Sequence, residues 1–191
     1  MASQNPSSPF VSRAGIKLAA ALDAFNIDPK GRVCADLGSH VGGFVDCLLQ
    51  RGATRVHAVD TAYGTLAWKL RRDSRVVVHE RTNALHFAPP EPVSLVTIDV
   101  GWTRQSLVLE RAKLMLDPAR PDSAIVTLIK PHYEAGPGRL DRGVLRDEWF
   151  EPVLQEVLQA IAALDLRVQA ALESPLRGHG GNREILAHLT L

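Results

Sequence analysis

The chain has 191 residues, of which 46% are hydrophobic, and this length is sufficient for one globular domain with a substantial core. Its 22 Lys and Arg residues nearly balance 21 Asp and Glu residues, giving a formal net charge of +1. A nucleic-acid partner is therefore compatible with the sequence only if positive charge is concentrated on one face. No apolar run approaches the ~18 residues of a membrane span, and the start lacks a signal-peptide pattern, so a cytoplasmic location without membrane partners is predicted.

The predicted elements begin after residues 1–9, a Ser-, Pro- and Asn-rich stretch predicted to be a flexible tail, and fill a single domain over 10–191. Short β-branched runs alternate with helical stretches, which is typical of a mostly parallel α/β sheet. Helices are predicted over 13–25, between Gly43 and Gly52, near 65–71, and over 104–116 and 148–164. Strands are predicted over 32–37, 55–59, 75–79, 93–98, 123–129, 166–172 and 183–189. Cys34 and Cys47 fall within this pattern and are predicted to be free, buried thiols.

Charged side chains stand where four of the predicted strands end. They are Asp36, Asp60, Asp99 and Lys130. In an open α/β sheet, ligands bind at the carboxyl ends of the parallel strands. Four charged groups at such ends therefore predict a binding site there.

The segment from Asp36 through Gly38 to Gly42 and Gly43 lies between a predicted strand and a helix. Glycines here allow the backbone to approach a ligand closely, and Asp60, about 20 residues further on, could accept hydrogen bonds from ribose hydroxyls. The spacing differs from the dinucleotide fingerprint, and the Asp36 carboxylate would repel a pyrophosphate but attract an ammonium group. The sequence therefore favours S-adenosylmethionine over a nicotinamide dinucleotide and predicts a Rossmann-like methyltransferase fold, with about seven strands and helices on both faces. No metal site is predicted.

Two lysines and two acids are candidate catalytic residues. Asp99 and Lys130 end adjacent predicted strands, Lys17 lies on the first helix, and Glu184 begins the last strand. A lysine can assist a weakly nucleophilic hydroxyl when a neighbouring cation favours its neutral form. Lys17 beside Lys130 would supply that cation, and the acids would position both amines.

Several ordered motifs give the sequence a family resemblance. It resembles the FtsJ-like RNA 2′-O-methyltransferases, and among them the hemolysin A (TlyA) branch, from Phe10 to about Leu189. The motifs are Ser12-Arg13-Ala14-Gly15-Ile16-Lys17-Leu18, Gly42 to Ala53, Val59-Asp60 with Tyr63-Gly64, Glu80-Arg81-Thr82-Asn83, Leu128-Ile129-Lys130-Pro131 with Glu134, and Gly181-Asn182-Arg183-Glu184.

This resemblance implies methyl transfer from S-adenosylmethionine to a ribose 2′-hydroxyl of RNA, with rRNA as the expected substrate and S-adenosylhomocysteine as the product. It implies that Lys17, Asp99, Lys130 and Glu184 act as a catalytic quartet. The cofactor-binding residues predicted from the loop and the resemblance together are Asp36, Gly38, Ser39, His40, Gly42, Gly43, Phe44, Asp60, Thr82, Asn83 and Asp99. Thr82 and Asn83 would flank the adenine.

The sequence departs from the branch around the expected pocket. Ser39-His40-Val41 stand where Ala-Ser-Thr is usual, Gly101-Trp102 replace a Ser-Phe pair, and His132-Tyr133 replace Gln-Phe. The branch also carries an N-terminal S4-like RNA-binding module, which this sequence is expected to lack. A small-molecule acceptor is therefore an alternative to RNA.

Two further alternatives are a non-catalytic protein that binds S-adenosylmethionine or RNA, and a membrane-lytic protein. Retention of the quartet disfavours the first, and the absence of a basic amphipathic helix disfavours the second. If RNA is the substrate, one predicted basic patch comprises Arg13, Lys17, Lys69, Arg71, Arg72 and Arg75, and another Arg139, Arg142 and Arg146.

Overall fold

The computed structural model describes residues 8–191. Of the predicted tail over 1–9, residues 1–7 lie outside the described part. The helices are α1 (Ala14–Phe25), α2 (Gly43–Gln50), α3 (Trp68–Arg71), α4 (Gln105–Lys113), α5 (Pro131–Glu134) and α6 (Asp147–Ala162). The strands are β1 (Val33–Leu37), β2 (Arg55–Val59), β3 (Val76–His79), β4 (Leu95–Ile98), β5 (Ala124–Ile129), β6 (Leu140–Asp141), β7 (Val144–Leu145), β8 (Arg167–Glu173) and β9 (Ile185–Thr190).

Seven strands form one sheet in the order β3-β2-β1-β4-β5-β9-β8. The first five strands in this order are parallel, whereas β9 runs antiparallel to both of its neighbours, β5 and β8. The predicted mostly parallel, seven-stranded sheet is therefore confirmed. Because the strand order reverses direction at β1 and β4, a crevice forms beyond their carboxyl ends.

Helices cover both faces of the sheet, as predicted, because successive side chains of a strand point to opposite faces. Ala35 and Leu37 of β1 pack into a core with residues of α4 and α6, such as Val108 and Val153. Cys34, the residue before Ala35, packs instead into the core that α1 and α2 cover. Cys34 and Cys47 are both free and buried. The parallel strands thus have apolar side chains on both faces, as their continuous apolar runs indicate.

Three local features differ from the sequence predictions. The helix predicted near 65–71 begins only at Trp68, because Ala67 is extended, with a ψ of 137°. A short helix, α5, follows β5 at once, with Pro131 in its first turn. The hairpin β6–β7 was also missed: its turn uses Arg142 and Gly143, both with positive φ, where Asn-Gly is the usual signal.

Among the helices of residues 8–191, none combines the length and the apolar character needed to cross a membrane.

Candidate active site

A cavity of about 610 Å³ opens at the carboxyl ends of the parallel strands. Its volume lies within the range of small-molecule sites. The lining includes Gly38 after β1, Asp60 after β2, Asp99 after β4 and Lys130 after β5. The four strand ends identified from the sequence therefore do converge, although Asp36 itself lies deeper. Other predicted residues in the lining are His40, Thr82 and Asn83.

Gly38 brings the loop after β1 against the end of β4. Its φ is +88°, and a Cβ on this residue would lie 2.4 Å from the carbonyl oxygen of Asp99. The N–H groups of Gly38 and Ser39 both donate to the carbonyl of Val59, at 2.9 and 3.0 Å. The loop is therefore fixed between β2 and β4, and a side chain at position 38 cannot be accommodated without displacing Asp99.

Gly42 and Gly43 are required for packing of the helices. A Cβ on Gly42, whose φ is +98°, would lie 2.3 Å from Leu70, and one on Gly43 would lie 2.3 Å from the Ser12 hydroxyl. The glycine pair thus lets α2 approach α3 and the segment before α1. The sequence prediction treated these glycines as cofactor contacts, and the packing provides a second reason for them. Phe44, next along α2, is 2% exposed.

Asp36 is a fully buried carboxyl at the end of β1. The Thr97 hydroxyl donates a hydrogen bond of 2.7 Å to its Oδ1. Its Oδ2 has no hydrogen-bond partner among the described residues. Burial raises the pKa of Asp36 to about 8, the Thr97 hydrogen bond opposes this rise, and the charges of Asp99 and Asp60 add to it. Asp36 also lines a smaller pocket, together with Ser39 and Phe44, so a ligand group there could supply the missing partner.

Asp60 organises the loops on the β2 and β3 side of the cavity. Its Oδ2 accepts the N–H of His40 at 2.8 Å, and its Oδ1 accepts the N–H of Ala62 at 2.7 Å. Its backbone carbonyl accepts the N–H of Thr82. The hydrogen bond from the His40 N–H to Asp60 holds the backbone of His40, whose φ is 46°. Each carboxylate oxygen keeps a free lone pair for a ligand hydroxyl.

The side chains of Thr82 and Asn83 use part of their hydrogen-bonding capacity within the protein. The Thr82 hydroxyl donates to the carbonyl of Glu80 at 3.0 Å. The Asn83 side-chain oxygen accepts the N–H of Leu85 at 2.9 Å and so caps a short 3₁₀ turn. Both residues therefore shape the cavity wall through their loop.

Lys130 and Asp99 form an ion pair in the cavity wall. The Lys130 Nζ lies 2.6 Å from Asp99 Oδ1 and donates a second hydrogen bond of 3.0 Å to the carbonyl of Val100. The side chains are 15% and 20% exposed, so the pair is partly shielded yet reachable from the cavity. Two groups thus hold the amine, and one position on Nζ remains for a ligand.

Lys17 and Glu184 form a second, deeper pair. Their side chains are 7% and 3% exposed and are joined by a hydrogen bond from Lys17 Nζ to Glu184 Oε2. Neither belongs to the lining of the cavity among the described residues. Ile129 pairs with Ile185 at the end of the β5–β9 register, so Lys130 and Glu184 continue neighbouring strands. Glu184 therefore lies one residue before β9, whereas the sequence prediction placed it at the beginning of that strand. The sequence prediction placed Lys17 beside Lys130, and the contacts pair each lysine with an acid.

An aromatic pair lies at the cavity beside Lys130. Trp102 is 86% exposed, with a φ of 61°, and its ring centroid lies 4.6 Å from that of Tyr133. The Lys130 Nζ lies 5.7 Å from the Tyr133 ring. Sequence reasoning noted both positions as departures from the family pattern but gave them no role. The sequence does not predict that Trp102 and Tyr133 meet, because they are 31 positions apart and no periodic pattern links them.

The predicted basic patches are partly neutralised by ion pairs. Lys69 pairs with Asp46, Arg71 with Glu80 and Arg75 with Asp73. In the second patch Arg139 pairs with Glu156. The positive charge available to a polyanion is therefore smaller than the residue count suggests.

Comparison with known proteins identifies the family. A model of the FtsJ-like methyltransferases matches residues 10–191. The chain belongs to this family. TlyA of Mycobacterium tuberculosis, named as a 16S/23S rRNA (cytidine-2′-O)-methyltransferase, is 40% identical over 186 residues, which is 92% of this chain and 66% of TlyA. YqxC of Bacillus subtilis is 39% identical over 186 residues, covering 94% of this chain and 65% of YqxC.

The FtsJ-like fold is also found in a solved structure from Streptococcus thermophilus, described as a hemolysin. It superposes with a TM-score of 0.91 and is 35% identical, covering 97% of this chain and 68% of that one. The chain thus spans slightly less than two thirds of the length of the two curated relatives, at 65–66%. Membership of the FtsJ-like family makes the cavity at the strand ends the candidate methyl-transfer site.

Proposed function

We propose that residues 10–191 form a single S-adenosylmethionine-dependent methyltransferase domain that modifies a ribose 2′-hydroxyl of RNA. The observation that carries the proposal is the ion pair between Lys130 and Asp99. It lies in the same cavity as Gly38 and Asp60, which form the predicted cofactor loop and ribose site. An amine that can exchange a proton with an acceptor hydroxyl is thereby placed beside a site suited to a methyl donor.

The residues present fit S-adenosylmethionine. The buried Oδ2 of Asp36 has no hydrogen-bond partner within residues 8–191 and could accept a hydrogen bond from an ammonium group. Gly38 leaves the loop backbone open, and Asp60 retains lone pairs for ribose hydroxyls. The carboxylates of Asp60 and Asp99 beside the loop would repel a pyrophosphate, which disfavours a dinucleotide. When bound, S-adenosylmethionine supplies an activated methyl group on a sulfonium.

Lys130 would handle the proton of the acceptor hydroxyl at its Nζ. Asp99 Oδ1 and the carbonyl of Val100 fix the direction of the amine. In its neutral form, Nζ would donate its two hydrogens to Asp99 and to the Val100 carbonyl, and its lone pair would take the proton of the hydroxyl as the oxygen is methylated, which leaves Lys130 as an ammonium. General-base assistance of this kind contributes about 10²–10⁴-fold to a rate. Lys17 and Glu184 would act indirectly by fixing the start of β9 beside the end of β5.

RNA is the acceptor that fits the surroundings best. The relative TlyA is named for rRNA methylation. In this chain, Trp102 offers an exposed ring face at the cavity, and aromatic faces stack well on unpaired bases. A cavity beside such an aromatic ring suits a nucleotide whose base has been flipped out of its stack with the neighbouring bases.

The test combines cofactor binding with methyl transfer. Calorimetry should show binding of S-adenosylmethionine, and absence of binding would refute the methyltransferase proposal. Labelled methyl groups should be transferred to total RNA and be recovered in 2′-O-methylated nucleosides.

Lys130→Ala should lose at least about 100-fold in rate yet still bind the cofactor. Lys30→Ala, at an exposed lysine, is the matched control. Transfer to small hydroxylated acceptors but not to RNA would refute RNA as the substrate.

A further inference from the structure

The loop 100–104 joins Asp99, at the end of β4, to the first turn of α4. It carries the Val100 carbonyl that accepts a hydrogen bond from Lys130, and it carries Trp102. We propose that Glu134 is a positioning residue that fixes this loop and thereby the two partners of the Lys130 amine. The inference rests on the proposed function, to which it adds a residue outside the cavity lining.

Glu134 holds the far end of the loop. Its Oε1 accepts the backbone N–H of Gln105, the first residue of α4, at 2.7 Å. Arg104, at the N-cap position, makes no side-chain cap hydrogen bond. The carboxylate of Glu134 therefore performs the capping role from a different element, where the helix N-terminus attracts negative charge.

The side chain of Gln105 is fixed to β5 as well. The Thr127 hydroxyl donates to its Oε1 at 2.7 Å, and its Nε2 donates to the carbonyl of Leu128 at 3.3 Å. The backbone and the side chain of Gln105 are thus both anchored on the segment 127–134, which also contains Lys130. The loop that orients the Lys130 amine and the strand that carries it are thereby tied together.

The charge and burial of Glu134 support this role. The residue is half-buried, and burial raises the pKa of its carboxyl, while the Gln105 hydrogen bond and the Arg104 charge oppose the rise. A hydrogen bond to a carboxylate that is partly shielded from water is stronger than the same bond in water. Loss of that anchor would let the loop 100–104 move, and displacement of a catalytic partner by about 1 Å can cost 10²-fold in rate.

The experiment measures loop mobility and catalysis separately. Glu134→Ala removes the acceptor, Glu134→Gln keeps an oxygen in its place, and Glu110→Ala changes an exposed glutamate of α4, the helix whose first N–H Glu134 binds. Hydrogen exchange of peptides covering 100–106 should be about tenfold faster in Glu134→Ala than in wild type, because one charge-assisted anchor is lost. Glu134→Gln and Glu110→Ala should stay within about twofold of wild type.

Transfer kinetics provide the second readout. Glu134→Ala should lose about tenfold in kcat, while its affinity for S-adenosylmethionine, measured by calorimetry, changes by less than about twofold. Glu134→Gln should recover most of the rate. Unchanged exchange of the loop in Glu134→Ala would overturn the inference, as would equal rate losses in the Ala and Gln variants. If wild type transfers no methyl group to RNA, the proposed function fails, while the exchange data still decide the role of Glu134.

Discussion

Lys17 donates a hydrogen bond to Glu184 across 167 positions of sequence, and both side chains are almost fully buried. This contact joins the first helix to the start of β9. A buried ion pair is costly to break, because the remaining partner is left charged and unpaired. The stability of the sheet and the geometry beside Lys130 therefore depend on the same two residues.

Replacement of Glu184 by Ala should destabilise the fold by about 3 kcal/mol, since the Lys17 ammonium would stay buried without its acid. Chemical denaturation measures this directly. Glu173→Ala, which breaks the exposed pair with Arg183, is the control and should cost less than about 1 kcal/mol. The double variant Lys17→Met and Glu184→Leu should be more stable than Glu184→Ala. Equal losses for the buried and exposed pairs would contradict the prediction.

Asp36 should make stability depend on pH. Its pKa is raised from 3.8 to about 8 by burial, so the folded chain keeps a proton that the unfolded chain releases. Its contribution is therefore fully present below about pH 4 and declines by up to about 1.4 kcal/mol per unit as the pH rises towards 8. Asp36→Asn should remove this decline. Denaturation at several pH values tests it, and parallel curves for both proteins would count against the prediction.

The same residue should release a proton when an ammonium ligand binds. Below pH 8, S-adenosylmethionine would meet a protonated Asp36 and favour its ionised form. Calorimetry in buffers of different ionisation enthalpy should detect proton release in wild type and a smaller release in Asp36→Asn. Identical buffer dependence in the two proteins would show that Asp36 does not face the ligand's amine.

Gly38→Ala should disrupt the cofactor loop. The new Cβ would meet the Asp99 carbonyl at 2.4 Å and would also force a non-glycine residue to a φ of +88°. Gly31→Ala is a matched control, because its φ is +73° but nothing lies within 4 Å of its Cβ. We expect Gly31→Ala to cost about 1–2 kcal/mol from backbone strain alone, and Gly38→Ala to cost more and to weaken cofactor binding. Equal effects of the two changes would show that the Asp99 contact is unimportant.

Trp102 should contribute to the binding of RNA and not to that of the cofactor. Trp102→Ala removes an exposed ring at the cavity, where stacking on a base is worth about 1–3 kcal/mol. The KM for RNA should therefore rise by about tenfold, with stability nearly unchanged. Trp68→Ala is the control, since Trp68 is 71% exposed on α3 and does not line the cavity. A similar rise in both variants would argue against stacking at Trp102.

Much of the fold could be predicted because its signals are local. Apolar runs predicted β1, β2, β4 and β5 to within a few residues of their observed bounds. The helical spacing of apolar residues did the same for α1 and α6. The hairpin β6–β7 could not be predicted, since Arg142 adopts a positive φ that arginine rarely favours. The antiparallel insertion of β9 between β5 and β8 also depends on long-range pairing that periodicity does not encode.

The site was predictable where residues directly follow strands. Asp60, Asp99 and Lys130 follow β2, β4 and β5, whose carboxyl ends lie at the same edge of the sheet, so topology alone brings them together. The hydrogen bond from Thr97 to Asp36, the anchoring of Gln105 by Glu134 and the ring contact between Trp102 and Tyr133 were not predicted. Each joins residues from different strands, helices or loops, and only the folded geometry defines such contacts.

The interior position of β9 has a consequence for biosynthesis. Residues 185–190 supply the partner for the open side of β5, and Glu184 supplies the counter-charge for Lys17. A ribosome-bound or truncated chain that ends before residue 184 would expose the hydrogen-bonding groups of β5 and leave a buried cation unpaired. Such fragments should be substrates for chaperones and proteases, so that only chains translated through β9 persist with an assembled site.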